Sequence, residues 1–375
     1  MNFETYPFEK LNNLLENITP NADFEPLSLT MGEPQFSTPS FILDELKRSA
    51  SLLNKYPKTS GEAVLREGML TYLDNRFDLK LDNSQIIPTF GTREVLFNFP
   101  QFLLHDIEHP VMAFPNPFYQ IYEGASKASR AKTIYMNLTA KNSFQPTLNE
   151  EELSQCDFVI INTPNNPTSS VMLIEELKHW VKLALKYDFV LLNDECYIDL
   201  YIDAPLPSLL NASIEVGNGD FKNILVINSI SKRSSAPGLR SGFIAGDAEI
   251  LKAYMTYRTY VGCASPLPLQ HASAVAWSDQ SHVDGFRANY IQNFKIAKEL
   301  LGVEPPLATF YIWLTVTDEI EFTQNLYRDY NLKVIPGSFL GREGQGEGFV
   351  RLALVYEENK TKEALERIKQ ALKEL

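Results

Sequence analysis

Six apolar runs rich in Val, Ile and Phe recur at 85–89, 111–114, 158–162, 189–193, 224–228 and 242–245, separated by longer amphipathic stretches. Strands joined by crossover helices have this period, so the chain is predicted to fold as an α/β protein, with a mostly parallel central sheet flanked by helices. Most of the runs end in a turn carrying Gly, Pro, Asn or Asp, and the reactive side chains sit in those turns. Ligands of open α/β sheets bind outside the carboxyl ends of the strands, which makes the turns the place to look for chemistry. The pattern becomes helical at 250–260 and 268–277. Strand-like runs then return at 310–315, 332–335 and 350–354, ahead of a charged helix over 360–375. The expected division is an N-terminal arm with part of a small domain (1–45), a large domain (46–265) and the rest of a smaller α/β domain (266–375).

Composition narrows the function. With 375 residues and 44% hydrophobic content the chain can bury a large core. A net charge of −13 argues against nucleic acid or an anionic membrane as partner. No apolar run approaches the roughly 20 residues that span a bilayer. The start, Met1 to Tyr6, is acidic and lacks an apolar signal core, so a cytoplasmic location is expected. Cys156, Cys196 and Cys263 are widely spaced, and His105 and His109 form a lone i, i+4 pair. Neither a disulfide framework nor a metal site is expected.

The turns carry five separate signals. In Ser229-Ile230-Ser231-Lys232-Arg233-Ser234-Ser235-Ala236-Pro237-Gly238-Leu239-Arg240-Ser241-Gly242, one lysine stands among small hydroxyl residues and two further cations. An amine must be neutral to attack a carbonyl, and positive charge at Arg233 and Arg240 with partial burial would lower the Lys232 pKa. The serines and the fork of Arg240 suit a phosphate dianion, although a basic loop before a strand has the same composition. Gly91-Thr92-Arg93-Glu94 follows a strand and opens an apolar run, so its amides would face an anion from a helix N-terminus; it also reads as a plain turn. Tyr119, in Pro115-Asn116-Pro117-Phe118-Tyr119, could stack on a flat ring or cover the core. Asn166, in Thr163-Pro164-Asn165-Asn166-Pro167-Thr168, could bond a phenolic oxygen or serve the turn alone. Asp194, in Asn193-Asp194-Glu195-Cys196-Tyr197, ends an apolar strand where an unpaired carboxylate is costly. It therefore needs a cation such as a protonated pyridine nitrogen, unless it caps the next helix. Together the turns supply the contacts that pyridoxal 5′-phosphate requires: an anion cradle, a stacking ring, a phenolate partner, a carboxylate and a lysine.

On these motifs nearly the whole chain resembles the fold-type I pyridoxal-phosphate aminotransferases. The resemblance implies that Lys232 carries the cofactor as a Schiff base and acts as acid and base. It implies that Asp194 keeps the pyridine nitrogen protonated, that Asn166 and Tyr197 bond the ring oxygen, and that Tyr119 stacks on the ring. Thr92, Arg93, Ser229 and Arg240 would hold the phosphate. Tyr56, in Tyr56-Pro57-Lys58-Thr59-Ser60-Gly61, matches a tyrosine that reaches the phosphate of a neighbouring subunit, which implies a homodimer. Arg351, in Val350-Arg351-Leu352-Ala353, would clamp the substrate α-carboxylate, and Gly32, in Met31-Gly32-Glu33-Pro34, marks the segment that closes over substrate.

Finer strings, among them Tyr6-Pro7-Phe8-Glu9-Lys10-Leu11, Asp194-Glu195-Cys196-Tyr197 and Tyr257-Arg258-Thr259-Tyr260-Val261-Gly262-Cys263-Ala264, resemble the succinyldiaminopimelate aminotransferases of bacterial lysine synthesis. That likeness implies transfer of the amino group of glutamate, released as 2-oxoglutarate, to N-succinyl-2-amino-6-oxopimelate. Arg258, Arg93 or Lys58 would then offer charge to the distal carboxylate. An aspartate or aromatic aminotransferase, or a pyridoxal-phosphate C–S lyase, would use the same machinery. A cofactor-binding regulator is disfavoured by the acidic chain. Two departures from the family pattern stand out: Ser169 and Ala308 occupy positions where glycine is usual, and each bears on the local loop shape, Ser169 on how Asn166 meets the ring.

Overall fold

In chain order the strands are β1 (Leu27–Ser28), β2 (Ile86–Thr89), β3 (Val111–Asn116), β4 (Lys132–Asn137), β5 (Phe158–Asn162), β6 (Val190–Asp194), β7 (Ile224–Ser229), β8 (Gly242–Gly246), β9 (Tyr311–Thr315), β10 (Leu332–Lys333), β11 (Ile335–Pro336) and β12 (Phe349–Ala353). Seven of them form the central sheet in the order β2-β8-β7-β6-β5-β3-β4 of this computed structural model. The strands β4, β3, β5, β6 and β7 run parallel, and β8 is antiparallel to both β7 and β2. The structure describes residues 3–374. Met1 and Asn2, at the head of the expected N-terminal arm, and Leu375, at the end of the expected last helix, lie outside the described residues.

Covered faces explain why the sheet was legible. Strands β2, β3, β5, β6, β7 and β8 are buried at every residue, which demands near-continuous apolar sequence. Alternate side chains feed two cores. Val159, Ile161, Ile224 and Val226 join the core under helices Ala63–Phe77, Ile174–Tyr187 and Leu267–Ser278. Phe158, Ile160, Leu225 and Ile227 join the core under helices Thr92–Leu103 and Ala248–Val261. Each fully buried Phe, Ile or Leu contributes about 1.5–3 kcal/mol. The strand β4 was not expected from sequence, because it lies at the edge and buries only Ile134 and Met136. The run expected at 332–335 divides between two sheets, β10 pairing with β1 and β11 with β12. Helix Leu267–Ser278, grouped by sequence with the C-terminal unit, instead buries Ala272, Ala276 and Trp277 in the first core.

A third core lies between the antiparallel sheet β11-β12-β9 and helices Ser281–Leu301, Glu319–Tyr330 and Glu358–Ala371; it holds Phe294, Leu314, Leu326, Leu352 and Leu365. A smaller cluster of Tyr197, Leu200, Tyr290, Phe310, Tyr311, Ala353 and Val355 joins the end of the large sheet to β9 and β12. This contact brings residues of both sheets to one cleft. No helix among the described residues is long and apolar enough to cross a membrane.

Candidate active site

The residues that close β5, β6 and β7, namely Asn162, Asp194 and Ser229, line a cleft of about 930 Å³. Lys232, Thr92, Arg93, Tyr119, Asn166, Tyr197, Arg240, Gly32 and Arg351 line it as well, which gathers every expected site residue except Tyr56. Tyr56 is fully exposed, beyond the short turn Ala50–Asn54.

Lys232 stands on the single helical turn Ile230–Arg233, whose N-cap Ser229 accepts from the Ser231 amide at 3.1 Å. Its Nζ donates to the Gly32 carbonyl. Burial brings the lysine pKa down to about 8, and Arg351 and Arg240 push the same way, while Cys196 and Glu33 oppose. Arg233 does not take the part expected of it. Its guanidinium turns away to Asp199 at 2.7 Å and to the carbonyl of Ala276.

The strand-to-helix turn expected at Gly91 is present. Gly91 adopts φ 75° as the N-cap of helix Thr92–Leu103, and the first two residues of that helix, Thr92 and Arg93, line the cleft. The turn calls for glycine, and its missing Cβ leaves room for the Arg240 guanidinium. Arg240 donates only to the carbonyls of Pro237 (3.0 Å) and Phe90 (3.4 Å), and no carboxylate pairs with it among the described residues.

Asp194 is 5% exposed. Its Oδ2 accepts from the Tyr122 hydroxyl at 2.8 Å and its Oδ1 from the Cys196 amide at 3.2 Å. Burial raises its pKa despite these neutral donors, and a cation against it would bring it down again. Asn162 braces the neighbourhood: its Nδ2 donates to the Asp194 carbonyl at 2.8 Å, and its Oδ1 accepts from the Asn166 amide at 2.9 Å. Across the cleft, Arg93 Nε donates to the Tyr119 hydroxyl at 2.9 Å, and the hydroxyls of Tyr197 and Tyr311 lie 3.0 Å apart.

Arg351, on β12, donates to Asn166 Oδ1 at 2.7 Å and to the Thr30 carbonyl, and its guanidinium lies 4.5 Å over the Tyr311 ring. Its Nε is buried with no partner. Gly32 packs against the Tyr311 hydroxyl so closely that any side chain would collide with it.

Two of the three cations considered for the distal carboxylate are otherwise engaged. Arg258 is buried and forked onto Glu94 at 2.9 and 3.0 Å, and Lys58 is solvent-exposed beside Glu62 at 3.8 Å. Neither lines the cleft, whereas Arg93 does. Sequence reading missed Tyr122, Asn162, Cys196 and Tyr311. Tyr122 lies three residues beyond Tyr119 in the first turn of helix Ile121–Ala128. No group of three or more His, Cys, Asp or Glu residues suited to a metal occurs among the described residues, and all three cysteines are free.

These features fit pyridoxal 5′-phosphate: a buried carboxylate without a cation, an arginine without a carboxylate beside a helix N-terminus, and a lysine with a lowered pKa. The comparisons agree. The family model described as aminotransferase class I and II matches residues 25–368. The crystal structure of aminotransferase AspB from Helicobacter pylori is 48% identical, covers all of both chains and superposes with a TM-score of 0.98. An aminotransferase structure from Neisseria meningitidis is 38% identical over 99% of this chain and 98% of that one, with a TM-score of 0.93. Among curated proteins, the LL-diaminopimelate aminotransferase of Natranaerobius thermophilus is 28% identical over 98% of this chain and 97% of its own length.

Proposed function

The chain belongs to the class I and II aminotransferases, which use pyridoxal 5′-phosphate, and on that premise we propose that it moves the amino group of glutamate to N-succinyl-2-amino-6-oxopimelate. One observation carries the reading furthest: Arg240, Arg351 and Arg93 all line one cleft, and none has a carboxylate partner among the described residues. Three unneutralised guanidinium groups suit a cofactor phosphate, a substrate α-carboxylate and a distal carboxylate. The likeness to an LL-diaminopimelate aminotransferase supports an acceptor of the diaminopimelate class.

The roles then follow from position. Bound pyridoxal phosphate supplies an electron sink that makes the substrate α-proton acidic. Lys232 Nζ takes that proton and returns it, and a pKa of about 8 puts the amine near the working range for both directions. Asp194 stabilises positive charge on the ring nitrogen, while Tyr197 and Asn166 bond the ring oxygen and Tyr119 covers the ring. The amides of Thr92 and Arg93, with Ser229 and Arg240, hold the phosphate. Arg351 gives up the Thr30 carbonyl for the α-carboxylate while Asn166 stays against it, and the Arg93 side chain meets the far end of the substrate. Gly32 belongs to the segment that closes the site. A homodimer in which the exposed Tyr56 reaches the neighbouring phosphate, in the cytoplasm, completes the reading.

The test is the visible absorption band of the cofactor-loaded protein. Glutamate should bleach it, and N-succinyl-2-amino-6-oxopimelate generated in place should restore it. Restoration by oxaloacetate or aromatic keto acids alone would move the acceptor to those classes. Release of ammonia and pyruvate from cystathionine would make the protein a lyase instead.

A further inference from the structure

Two residues 140 positions apart occupy backbone conformations that their side chains disfavour, and they are hydrogen-bonded to each other. Ser169 has φ 61° and Thr309 has φ 84°, a rare conformation for a β-branched residue. Both are buried. The Ser169 hydroxyl lies 2.7 Å from Thr309 Oγ1 and donates to the Tyr311 carbonyl at 3.0 Å. Thr309 Oγ1 in turn accepts from the Tyr311 amide at 3.0 Å. Glycine would hold either backbone position without strain. Strain held in place by bonds between distant segments clusters at sites where position matters.

The segments joined here carry the two halves of one contact. Ser169 closes the turn that bears Asn166, with the Ser169 amide donating to the Asn165 carbonyl at 3.0 Å. Thr309 precedes β9, which pairs with β12 so that Arg351 faces Trp313 and Ala353 faces Tyr311. Asn166 from the first segment and Arg351 from the second meet at 2.7 Å. We propose that the Ser169–Thr309 hydroxyl pair is a positioning device that fixes Asn166 against Arg351, keeping the arginine set for a substrate carboxylate before one arrives. Ser169, the departure from glycine that bears on how Asn166 meets the ring, is on this reading what secures Asn166. The proposal takes from the proposed function only that Arg351 receives a carboxylate, and it is independent of the acceptor.

The test compares Ser169→Gly, Thr309→Val and Thr309→Ser with the unaltered holoenzyme. Titration with maleate, a dicarboxylate that cannot react, is followed through the cofactor absorbance, alongside the kinetics of the glutamate half-reaction. Ser169→Gly and Thr309→Val should each weaken maleate and raise the KM for glutamate about fivefold, the loss of one or two buried hydrogen bonds, with kcat within about twofold. Thr309→Ser keeps the hydroxyl and should bind as the unaltered protein does. Ser169→Gly should fold at least as well as the parent, because relief of strain offsets the lost bonds, so weaker binding cannot be blamed on unfolding. Maleate affinity unchanged in Thr309→Val, or lost equally in Thr309→Ser, would overturn the proposal. Urea unfolding of the two single variants and of the Ser169→Gly/Thr309→Val double supplies a readout without ligand. Coupled costs support the pair, and strictly additive costs overturn it. If the unaltered protein bound no dicarboxylate while the coupling held, the carboxylate role of Arg351 would fail rather than the hydroxyl pair.

Discussion

Asp194 and Asp199 lie in the same turn region, 5% and 2% exposed, yet their surroundings are opposite in kind. Asp199 is bracketed by two arginines, Arg76 at 3.0 Å and Arg233 at 2.7 Å, and also accepts from the Tyr72 hydroxyl at 3.0 Å. Asp194 has a tyrosine hydroxyl and a backbone amide, and no arginine. Two further arginines off the cleft lining are neutralised as Arg76 and Arg233 are, Arg258 by Glu94 and Arg342 by Glu123. Inside the cleft, Arg240 and Arg351 are left with carbonyl and amide oxygens. A charge that is buried and unpaired is costly, so its persistence marks where a ligand of opposite sign belongs.

The strongest test of this division removes the reactive group. Lys232→Ala should abolish turnover, by about 10⁴-fold, while leaving denaturant stability equal or higher, because the half-buried lysine has no carboxylate partner among the described residues. Next come the two aspartates, whose alanine variants should fail in opposite ways. Asp194→Ala should cut turnover by about 10³-fold and change stability by no more than about 1 kcal/mol. Asp199→Ala should strand Arg76 and Arg233 in the interior and cost about 3–5 kcal/mol in urea unfolding. Equal stability losses at both positions would erase the contrast.

A smaller effect is read in pH. Below about 8 the Lys232 amine is protonated and cannot attack, so uptake of pyridoxal phosphate by the cofactor-free chain should rise about tenfold per pH unit and level off above 8. Because the folded pKa lies below the ordinary 10.5, the folded chain binds fewer protons than the unfolded one between those values. The contribution of this lysine to stability therefore increases with pH across that window. The smallest effect belongs to Tyr122→Phe, which removes one donor from Asp194 and should slow turnover about fivefold.

What the sequence disclosed and what it withheld have distinct physical causes. The fully buried strands announced themselves because both faces must be apolar, whereas β4 shows solvent one of its faces and reads as mixed. That Lys232, Asp194 and Arg240 would meet in one cleft could be read from the sequence because each follows or closes a strand of the large sheet. Arg258 was misjudged because Glu94, 164 residues away, cancels its charge. Tyr311 and Thr309 gained their places only when β9 folded against the end of the large sheet, a juxtaposition without local signature.

The unneutralised arginines of the cleft also bear on how substrate arrives. The chain as a whole carries a net charge of −13, so an approaching dicarboxylate is repelled at long range and attracted only near the mouth. At low ionic strength the repulsion reaches tens of ångströms; at about 0.1 M salt the Debye length shrinks to about 10 Å, and only the local attraction survives. Capture of acidic substrates should therefore quicken as salt is first added and slow again once the screening enters the cleft, so the ionic strength of the medium acts as a throttle on encounter.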